Sequence, residues 1–207
     1  MLRRLAGFER RLQHAVFYQQ VTDIVEVGLR RFTEKHKDVK DNSPFVLYEK
    51  YSRRDVSLLM NCGKDLSSTM YGMKRIGEDA FIFVTYHKKE CADDKAYVDG
   101  KPDYADAFED NMIFKWDSQM GRGIDSSYVA DVVEAKRKHL LVKKSDAETN
   151  FYYVGQFDVV SVEPTKKKDN AGKERDIAKF KMKMHQAVRD DLLRYFQSNI
   201  LVEEHVG

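Results

Sequence analysis

Residues 2–36 carry apolar side chains at helical spacing. Apolar positions recur there every three to four residues, with arginine, glutamine and glutamate between them, as on one face of an amphipathic helix. Gly28 is a weak point, so one long helix or two shorter ones both fit the pattern. The polar segment 35–44 ends in a Ser-Pro pair and predicts a linker. We therefore predict a helical arm over 1–40 and a separate domain over 44–203.

Beyond the linker, strand-like and helical patterns follow each other. Short apolar and β-branched runs predict seven strands, over residues 44–51, 68–76, 80–88, 112–116, 139–144, 151–164 and 175–184. Capped amphipathic segments predict three helices, over residues 53–61, 126–138 and 188–201. Residues 90–110 have no period and predict an exposed loop. Because strands outnumber helices and cluster in hairpins, we predict an α+β fold around a curved, mostly antiparallel sheet or partly open β-barrel with flanking helices.

Composition excludes several classes of protein. The chain has 36 basic and 34 acidic residues, so its overall charge points to no partner. The only two cysteines, Cys62 and Cys91, form no paired motif and predict a reduced, cytoplasmic protein. No apolar stretch approaches the roughly 20 residues that cross a membrane. The histidines are scattered and no phosphate-binding glycine motif occurs, so we expect neither a metal nor a cofactor.

Six blocks follow one another along residues 44–198: PFVLYEKYSRRDV, KDLSSTMYGMK, FIFVTYHK, KWDSQ, HLLVKK with NFYYVG, and VRDDLLRYF. Together they resemble the uncharacterised C-terminal domain of restriction-type superfamily-two helicases, as in SauUSI-like modification-dependent (type IV) restriction enzymes. The resemblance implies a DNA-recognition domain related to the SRA and PUA-like barrels that read modified cytosine. It also implies a partner, the helicase and nuclease portion of a larger polypeptide or complex, and no catalysis by this chain.

A protein that inspects one base of a duplex usually flips it out, stacks it on aromatic rings and bonds its Watson–Crick edge. For cytosine, a carboxylate would accept the N4–H, while other donors would reach N3 and O2. Within the resembling blocks the pocket candidates are Tyr48, Tyr51, Asp65, Tyr71, Tyr86, Trp116, Asp117, Ser118 and Gln119. Tyr48 and Tyr86 also suit packing within a sheet. Trp116 also suits the core, and Asp65 a turn.

Basic residues form a second candidate set, for contact with the DNA backbone. Three lysines alternate with apolar residues between positions 178 and 184, which places them on one face at about 6.6 Å intervals, close to the phosphate spacing of one strand. A solvated sheet face explains the same pattern. Arg122 lies between two glycines that leave room for a close approach to DNA. The set is Arg53, His87, Arg122, Lys143, Lys166, Lys167, Lys168, Lys179, Lys181 and Lys183.

Taken together, these features predict a non-catalytic domain that reads 5-methyl- or 5-hydroxymethylcytosine in double-stranded DNA by base flipping, for a modification-dependent restriction system in phage defence. Two alternatives stay open. In the first, the apolar face of the helical segment 2–36 docks a helicase or forms a homodimer. In the second, Asp131 and the Glu134-Ala135-Lys136 run belong to a metal-dependent nuclease. Helical periodicity argues against the nuclease, because that chemistry needs the Glu-x-Lys run on a strand.

Overall fold

A computed structural model of the chain describes residues 6–35, 43–87, 97–98, 101–102, 106–169 and 172–198. The chain divides into two compact units, Met1–Val46 and Leu47–Gly207. The first unit contains two helices, α1 (Ala6–Leu12) and α2 (Ala15–Lys35). The break between them lies at residues 13–14 and not at Gly28. None of the described helices combines the length and apolar character that a membrane span requires.

The described part of the second unit contains ten strands. In chain order they are β1 (Lys50–Tyr51), β2 (Met73–Ile76), β3 (Asp79–His87), β4 (Tyr97–Val98), β5 (Lys101–Pro102), β6 (Ala107–Phe108), β7 (Ile113–Asp117), β8 (Arg137–Ser145), β9 (Phe151–Lys168) and β10 (Glu174–Met184). Eight of these described strands form one open sheet in the order β2-β3-β8-β9-β10-β7-β6, with β1 pairing to β9. Only the β3–β8 pair among them is parallel. The α+β class and the mostly antiparallel sheet are confirmed.

Three helices accompany the sheet: α3 (Arg53–Leu59), α4 (Ser127–Val133) and α5 (Asp190–Gln197). Ser52 is the N-cap residue of α3. Its hydroxyl accepts a hydrogen bond from Asp55 N at 3.1 Å, and the Asp55 carboxylate accepts one from Ser52 N at 2.7 Å. This reciprocal capping box satisfies two backbone donors at the helix start. Ser126 caps α4 in a similar way, with its hydroxyl accepting a bond from Val129 N. The predicted starts of both helices are confirmed.

Two predicted strands are shorter than their sequence pattern indicates. Of residues 44–51, only β1 is a strand, because Tyr48 has a φ of 66° that an extended strand cannot contain. Of residues 68–76, only β2 is a strand, since a 3-10 turn (Ser67–Thr69) and Gly72 at a φ of 70° precede it. Both corrections come from backbone turns that the apolar composition concealed.

Two further corrections concern α4 and the predicted acidic loop. The helix predicted over 126–138 ends at Val133, because Arg137 already belongs to β8, where it lies opposite Asp79 of β3. Asp106 and Phe108 are 6% and 5% exposed, so this end of the predicted loop is buried, with Phe108 in β6. Most of residues 90–105 lies outside the described chain, as do residues 199–201 of the last predicted helix.

The apolar core fills one side of the long β9–β10 hairpin and β3. Phe180, Met182 and Met184 of β10 are buried, whereas the alternating Lys179 and Lys183 are exposed and Lys181 is partly buried. The predicted alternation along β10 is therefore confirmed. Six further large side chains are fully buried: Phe81, Phe114, Phe151, Tyr153, Phe157 and Phe196.

Candidate functional site

A cavity of about 510 Å³ opens where the end of β7, the start of α3 and the middle of β3 meet. This volume lies within the roughly 300–1,000 Å³ typical of small-molecule sites. We call it the main cavity. Eight of the residues predicted from the sequence line it: Arg53, Tyr71, Tyr86, Trp116, Asp117, Ser118, Gln119 and Lys167.

The three predicted rings in the main cavity differ in exposure. Trp116 is 3% exposed and packs on Phe180, directly opposite on β10, with ring centroids 5.0 Å apart. Tyr86 is 6% exposed and stacks on Phe196 at 5.9 Å, and burial raises the pKa of its phenol. Tyr71, in contrast, is 61% exposed. Trp116 and Tyr86 are thus core residues that also form part of the wall of the main cavity. Tyr71 is the predicted ring in this cavity whose surface is largely exposed.

Arg53, the first residue of α3, lies over the aromatic side of the main cavity. Its guanidinium carbon is 5.2 Å from the ring centre of Tyr71, 5.1 Å from that of Phe151 and 5.7 Å from that of Phe83. Burial lowers the pKa of Arg53, yet an arginine stays charged in proteins. Its buried Nε has no hydrogen-bond acceptor in the described part of the chain. A cation with an unfilled donor therefore lines this cavity.

Asp117 supplies the opposite charge. Its backbone N–H donates to Asp106 Oδ1 at 2.9 Å, which fixes the end of β7. Lys167 Nζ lies 2.7 Å from Asp117 Oδ2. The two groups form an ion pair, and the carboxylate oxygen is buried. Because a carboxylate oxygen can accept more than one bond, Asp117 supplies an acceptor to the cavity wall beside this ion pair.

Ser118 and Gln119 tie the loop after β7 to its neighbours. Ser118 Oγ donates to Arg122 O at 2.6 Å and accepts from Ala178 N at 2.8 Å, so its one hydroxyl proton already has an acceptor. Gln119 Nε2 donates to Tyr71 O at 3.0 Å. The Trp-Asp-Ser-Gln run is consequently both a structural corner and part of the cavity wall.

Gly72 makes the contact between these segments possible. A Cβ at this position would lie 2.9 Å from Gln119 Nε2 and 2.9 Å from Tyr128 Oη, and the backbone has a φ of +70°. Both the close approach and the left-handed conformation favour glycine.

Three predicted pocket residues lie elsewhere, which corrects their placement with Trp116. Tyr48 Oη donates to Ala187 O at 3.1 Å. Asp65 accepts a bond from Ser67 N at 2.8 Å, and the hydrogen bonds from Ser67 lower the pKa of its carboxyl. This is the turn-stabilising arrangement that its sequence context also allowed. Tyr51 belongs to β1 and pairs with Phe151. None of the three lines the main cavity.

Several of the predicted backbone-contact residues are engaged within the fold. Lys143 Nζ donates to Glu148 O at 3.0 Å, and its side chain is 12% exposed. His87 Nε2 lies 2.7 Å from Phe196 O. Both side chains therefore have a backbone oxygen of the domain within hydrogen-bond distance. Arg122, in contrast, is exposed, with its guanidinium carbon 5.8 Å from the ring centre of Tyr128.

The lysine face of β10 carries charges of both signs. Lys181 Nζ lies 3.5 Å from Glu109 Oε2, while Lys179 is directly opposite Glu163 and Lys183 directly opposite Asp158. At the hairpin end, Lys166 lies 3.8 Å from Glu174, and Lys168 is exposed. Lys166 lines a separate cavity of about 500 Å³ together with Asp125 and Asp176. The face is thus closer to a mixed solvated surface than to a uniformly basic one.

The nuclease-like acidic residues lie at a helix, as their periodicity predicted. Asp131 belongs to α4 and Glu134 is its C-cap residue. Their carboxylates lie 3.8 Å and 4.0 Å from Arg75 Nη1. Within the described ranges, no group of three or more His, Cys, Asp or Glu residues is placed to hold a metal ion.

The residues of this region that sequence reasoning missed include Phe83, Asp106 and Tyr128. Alternation along β3 places Phe83 on the face opposite to Tyr86, so the strand pattern did not group the two rings. Asp106 lies in an aperiodic acidic segment, and its partner is set by β7. Tyr128 stands at the start of α4, and only the tertiary structure brings it to Gly72.

Residues 45–196 match the family described as a domain of unknown function, DUF3427. The chain belongs to this family. The residues that line the main cavity all fall within the DUF3427 match. No curated protein matches the chain.

Three solved structures are distantly similar to this DUF3427 chain. KRYPTONITE in complex with mCHG DNA and SAH matches with a TM-score of 0.42 and 11% identity, over 87% of this chain and 40% of that chain. SUVH6 of Arabidopsis thaliana with SAM gives 0.41 and 12%, over 72% and 28%. The sulfur-binding and SRA domains of ScoMcrA with phosphorothioated DNA give 0.39 and 10%, over 79% and 49%. The chain spans less than half of each.

Proposed function

We propose that this DUF3427 domain is a non-catalytic DNA-binding domain that reads 5-methyl- or 5-hydroxymethylcytosine by base flipping. The observation that carries the proposal is the main cavity. It combines an exposed ring, a carboxylate acceptor and an unfilled cationic donor in a space of small-molecule size. These are the groups that a flipped base needs around it.

Tyr71 would stack on the flipped base. Its ring is 61% exposed, and Arg53 already covers one side of it at 5.2 Å. Stacking on an aromatic ring contributes about 1–3 kcal/mol per base. Trp116 and Tyr86 would provide the apolar wall beside the base, where a 5-methyl group needs only close contact.

Asp117 and Arg53 would bond the polar edge of cytosine. The N4 amine would donate to the Asp117 carboxylate beside its ion pair with Lys167, and a ring acceptor would face Arg53 Nε, which has no acceptor in the described chain. Thymine presents O4 where cytosine presents its amine, so two acceptors would face each other at Asp117. Leaving a buried acceptor unpaired costs about 1–3 kcal/mol, which favours cytosine.

The partners follow from this role. Double-stranded modified DNA would be the ligand, and Lys167 and Arg122 would contact its backbone. The helicase and nuclease portion of a modification-dependent restriction system would then act on the bound DNA, because this chain would only recognise it.

Binding of labelled duplexes that differ at one base tests the proposal. We expect the domain to bind a duplex with 5-methylcytosine at least tenfold more tightly than duplexes with cytosine or thymine, in moderate salt. Tyr71→Ala should remove this preference. Tyr18→Ala is the matched control, because Tyr18 lies in the arm and is 56% exposed, like Tyr71. Equal binding of duplexes with cytosine, thymine, 5-methylcytosine and 5-hydroxymethylcytosine by the unmodified protein would contradict the proposal.

The arm gives a second candidate function, a protein-interaction or homodimer surface. Val16, Ile24 and Leu29 of α2 are 73%, 71% and 60% exposed, and exposed apolar side chains in number mark interaction sites. Sedimentation analysis of the chain at micromolar concentration tests this candidate. A monomer whose mass does not change with concentration would exclude the homodimer.

A further inference from the structure

A smaller cavity of about 320 Å³ shares two wall residues, Tyr71 and Gln119, with the main cavity. We call it the side cavity. Its lining also includes Lys74, Arg122 and Tyr128. We propose that the side cavity binds a backbone phosphate of the DNA strand, next to the nucleotide held in the main cavity. This inference rests on the proposed function and assigns a ligand to a second site.

The side cavity has an excess of positive charge. Arg75 is engaged, because it donates to Gly77 O at 3.1 Å and to Asp131 O at 3.3 Å, with the Asp131 carboxylate 3.8 Å away. Lys74 and Arg122, in contrast, have no carboxylate within 4.0 Å among the residues that the structure describes. Two cations of this cavity therefore lack a counter-charge within the described chain.

Tyr128 adds an unfilled neutral donor to these two cations. Its hydroxyl is buried and has no hydrogen-bond partner in the part of the chain that is described. Burial raises the pKa of Tyr128, so the phenol keeps its proton at neutral pH. Arg122 lies over the same ring at 5.8 Å. The Tyr128 ring and the Arg122 guanidinium are thus side by side in one cavity wall.

A phosphate group fits this donor set. It offers several acceptor oxygens and a negative charge to a lysine, an arginine and a hydroxyl, which are the side chains that contact DNA phosphates. The shared wall of Tyr71 and Gln119 explains why the phosphate would belong to DNA. The wall that the two cavities share contains a hydrogen bond from Gln119 Nε2 to Tyr71 O at 3.0 Å. A phosphate linked to a nucleotide whose base occupies the main cavity would lie just beyond this wall.

The dependence of DNA binding on salt separates this inference from the proposed function. Lys74→Ala and Arg122→Ala should each lower the slope of log K against log salt concentration by about 0.9, the amount for one lost phosphate contact. Both variants should keep the preference of the unmodified protein for 5-methylcytosine. Tyr128→Phe should weaken binding several-fold without changing the slope, because it removes a donor and no charge. Arg194→Ala is the control, since Arg194 is exposed on α5 and lines neither cavity.

The possible outcomes distinguish the side-cavity inference from the proposed function. Unchanged slopes for Lys74→Ala and Arg122→Ala would overturn the side-cavity inference, whether or not the domain prefers 5-methylcytosine. Reduced slopes without any such preference would support the phosphate site and overturn the reader. A slope that falls as much for Arg194→Ala would show a general charge effect and overturn the inference. Failure to bind any duplex would overturn both.

Discussion

Lys167 Nζ and Asp117 Oδ2 lie 2.7 Å apart and join the β9–β10 hairpin to the end of β7. The contact brings together residues 50 positions apart in sequence, across a strand that separates β9 from β7. Because a carboxylate oxygen can accept more than one bond, the ion pair leaves Asp117 with capacity for a further donor. This geometry gives the main cavity an acceptor that is held in place by a cation.

Asp117→Ala should lower the affinity for a 5-methylcytosine duplex about 10- to 100-fold, the effect of losing a charged hydrogen bond of about 1.5–3 kcal/mol. Binding to a duplex with thymine at that position should change much less, because thymine has no N4 amine to donate to Asp117. Fluorescence anisotropy titrations with both duplexes measure the two effects. Glu163→Ala is the matched control, as Glu163 is an exposed carboxylate opposite Lys179. Equal losses for the two variants would show that Asp117 has no specific role.

Gly72→Ala should damage the wall between the two cavities. The added Cβ would lie 2.9 Å from both Gln119 Nε2 and Tyr128 Oη, so Gln119 must move from Tyr71. Gly77→Ala provides the control, because Gly77 has a similar φ of +60° with nothing within 4 Å of the added atom. Both variants should lose about 1 kcal/mol of unfolding free energy from the left-handed backbone. Only Gly72→Ala should also weaken binding to modified DNA. Equal binding by the Gly72→Ala and Gly77→Ala variants would show that the wall between the two cavities does not contribute to binding.

Trp116→Ala should destabilise the fold by about 3–5 kcal/mol, the usual cost of removing a large buried aromatic side chain. The reason is that Trp116 is 3% exposed and packs against Phe180 and Tyr128. Urea unfolding followed by circular dichroism measures the loss. Leu58→Ala, at a residue 66% exposed, should change the stability by less than about 0.5 kcal/mol. A small loss for Trp116→Ala would mean that the residue serves the cavity more than the core.

Asp79 should make the stability of the domain depend on acid pH. Burial of this carboxylate, which is 5% exposed, opposes ionisation. Hydrogen bonds and charge from His139 and Arg137 outweigh burial and lower the pKa of Asp79 to about 2. Since the folded pKa lies below the unfolded value of about 3.9, the stabilisation is present above pH 4 and is lost as the pH falls towards 2.

The size of this effect follows from the shift in pKa. A shift of nearly two units corresponds to about 2 kcal/mol. Urea unfolding at several pH values between 7 and 2 should show this loss, and Asp79→Asn should flatten that part of the profile. An Asp79→Asn variant with the same pH dependence as the unmodified protein would assign the acid sensitivity to other carboxylates.

The sequence by itself determined the local elements whose physical cause is local. Ser52 and Asp55 form the capping box that starts α3, and alternation along β10 places Phe180 in the core and Lys179 in solvent. Such patterns depend on neighbours one to four residues away, so they can be read from the chain. Turn conformations were less accessible, because Tyr48 adopts a left-handed φ that its residue type disfavours.

Only the tertiary structure decided which of the predicted residues share a site. The pairing of β7 with β10 brings Trp116 to Phe180 and Asp117 within reach of Lys167, while Tyr48 and Asp65 bond to other parts of the chain. Strand pairing between distant segments carries no local signal, since either edge of a strand can pair with several partners. The sequence therefore determined the residue types that a base-reading pocket needs, and long-range packing selected which of them line one cavity.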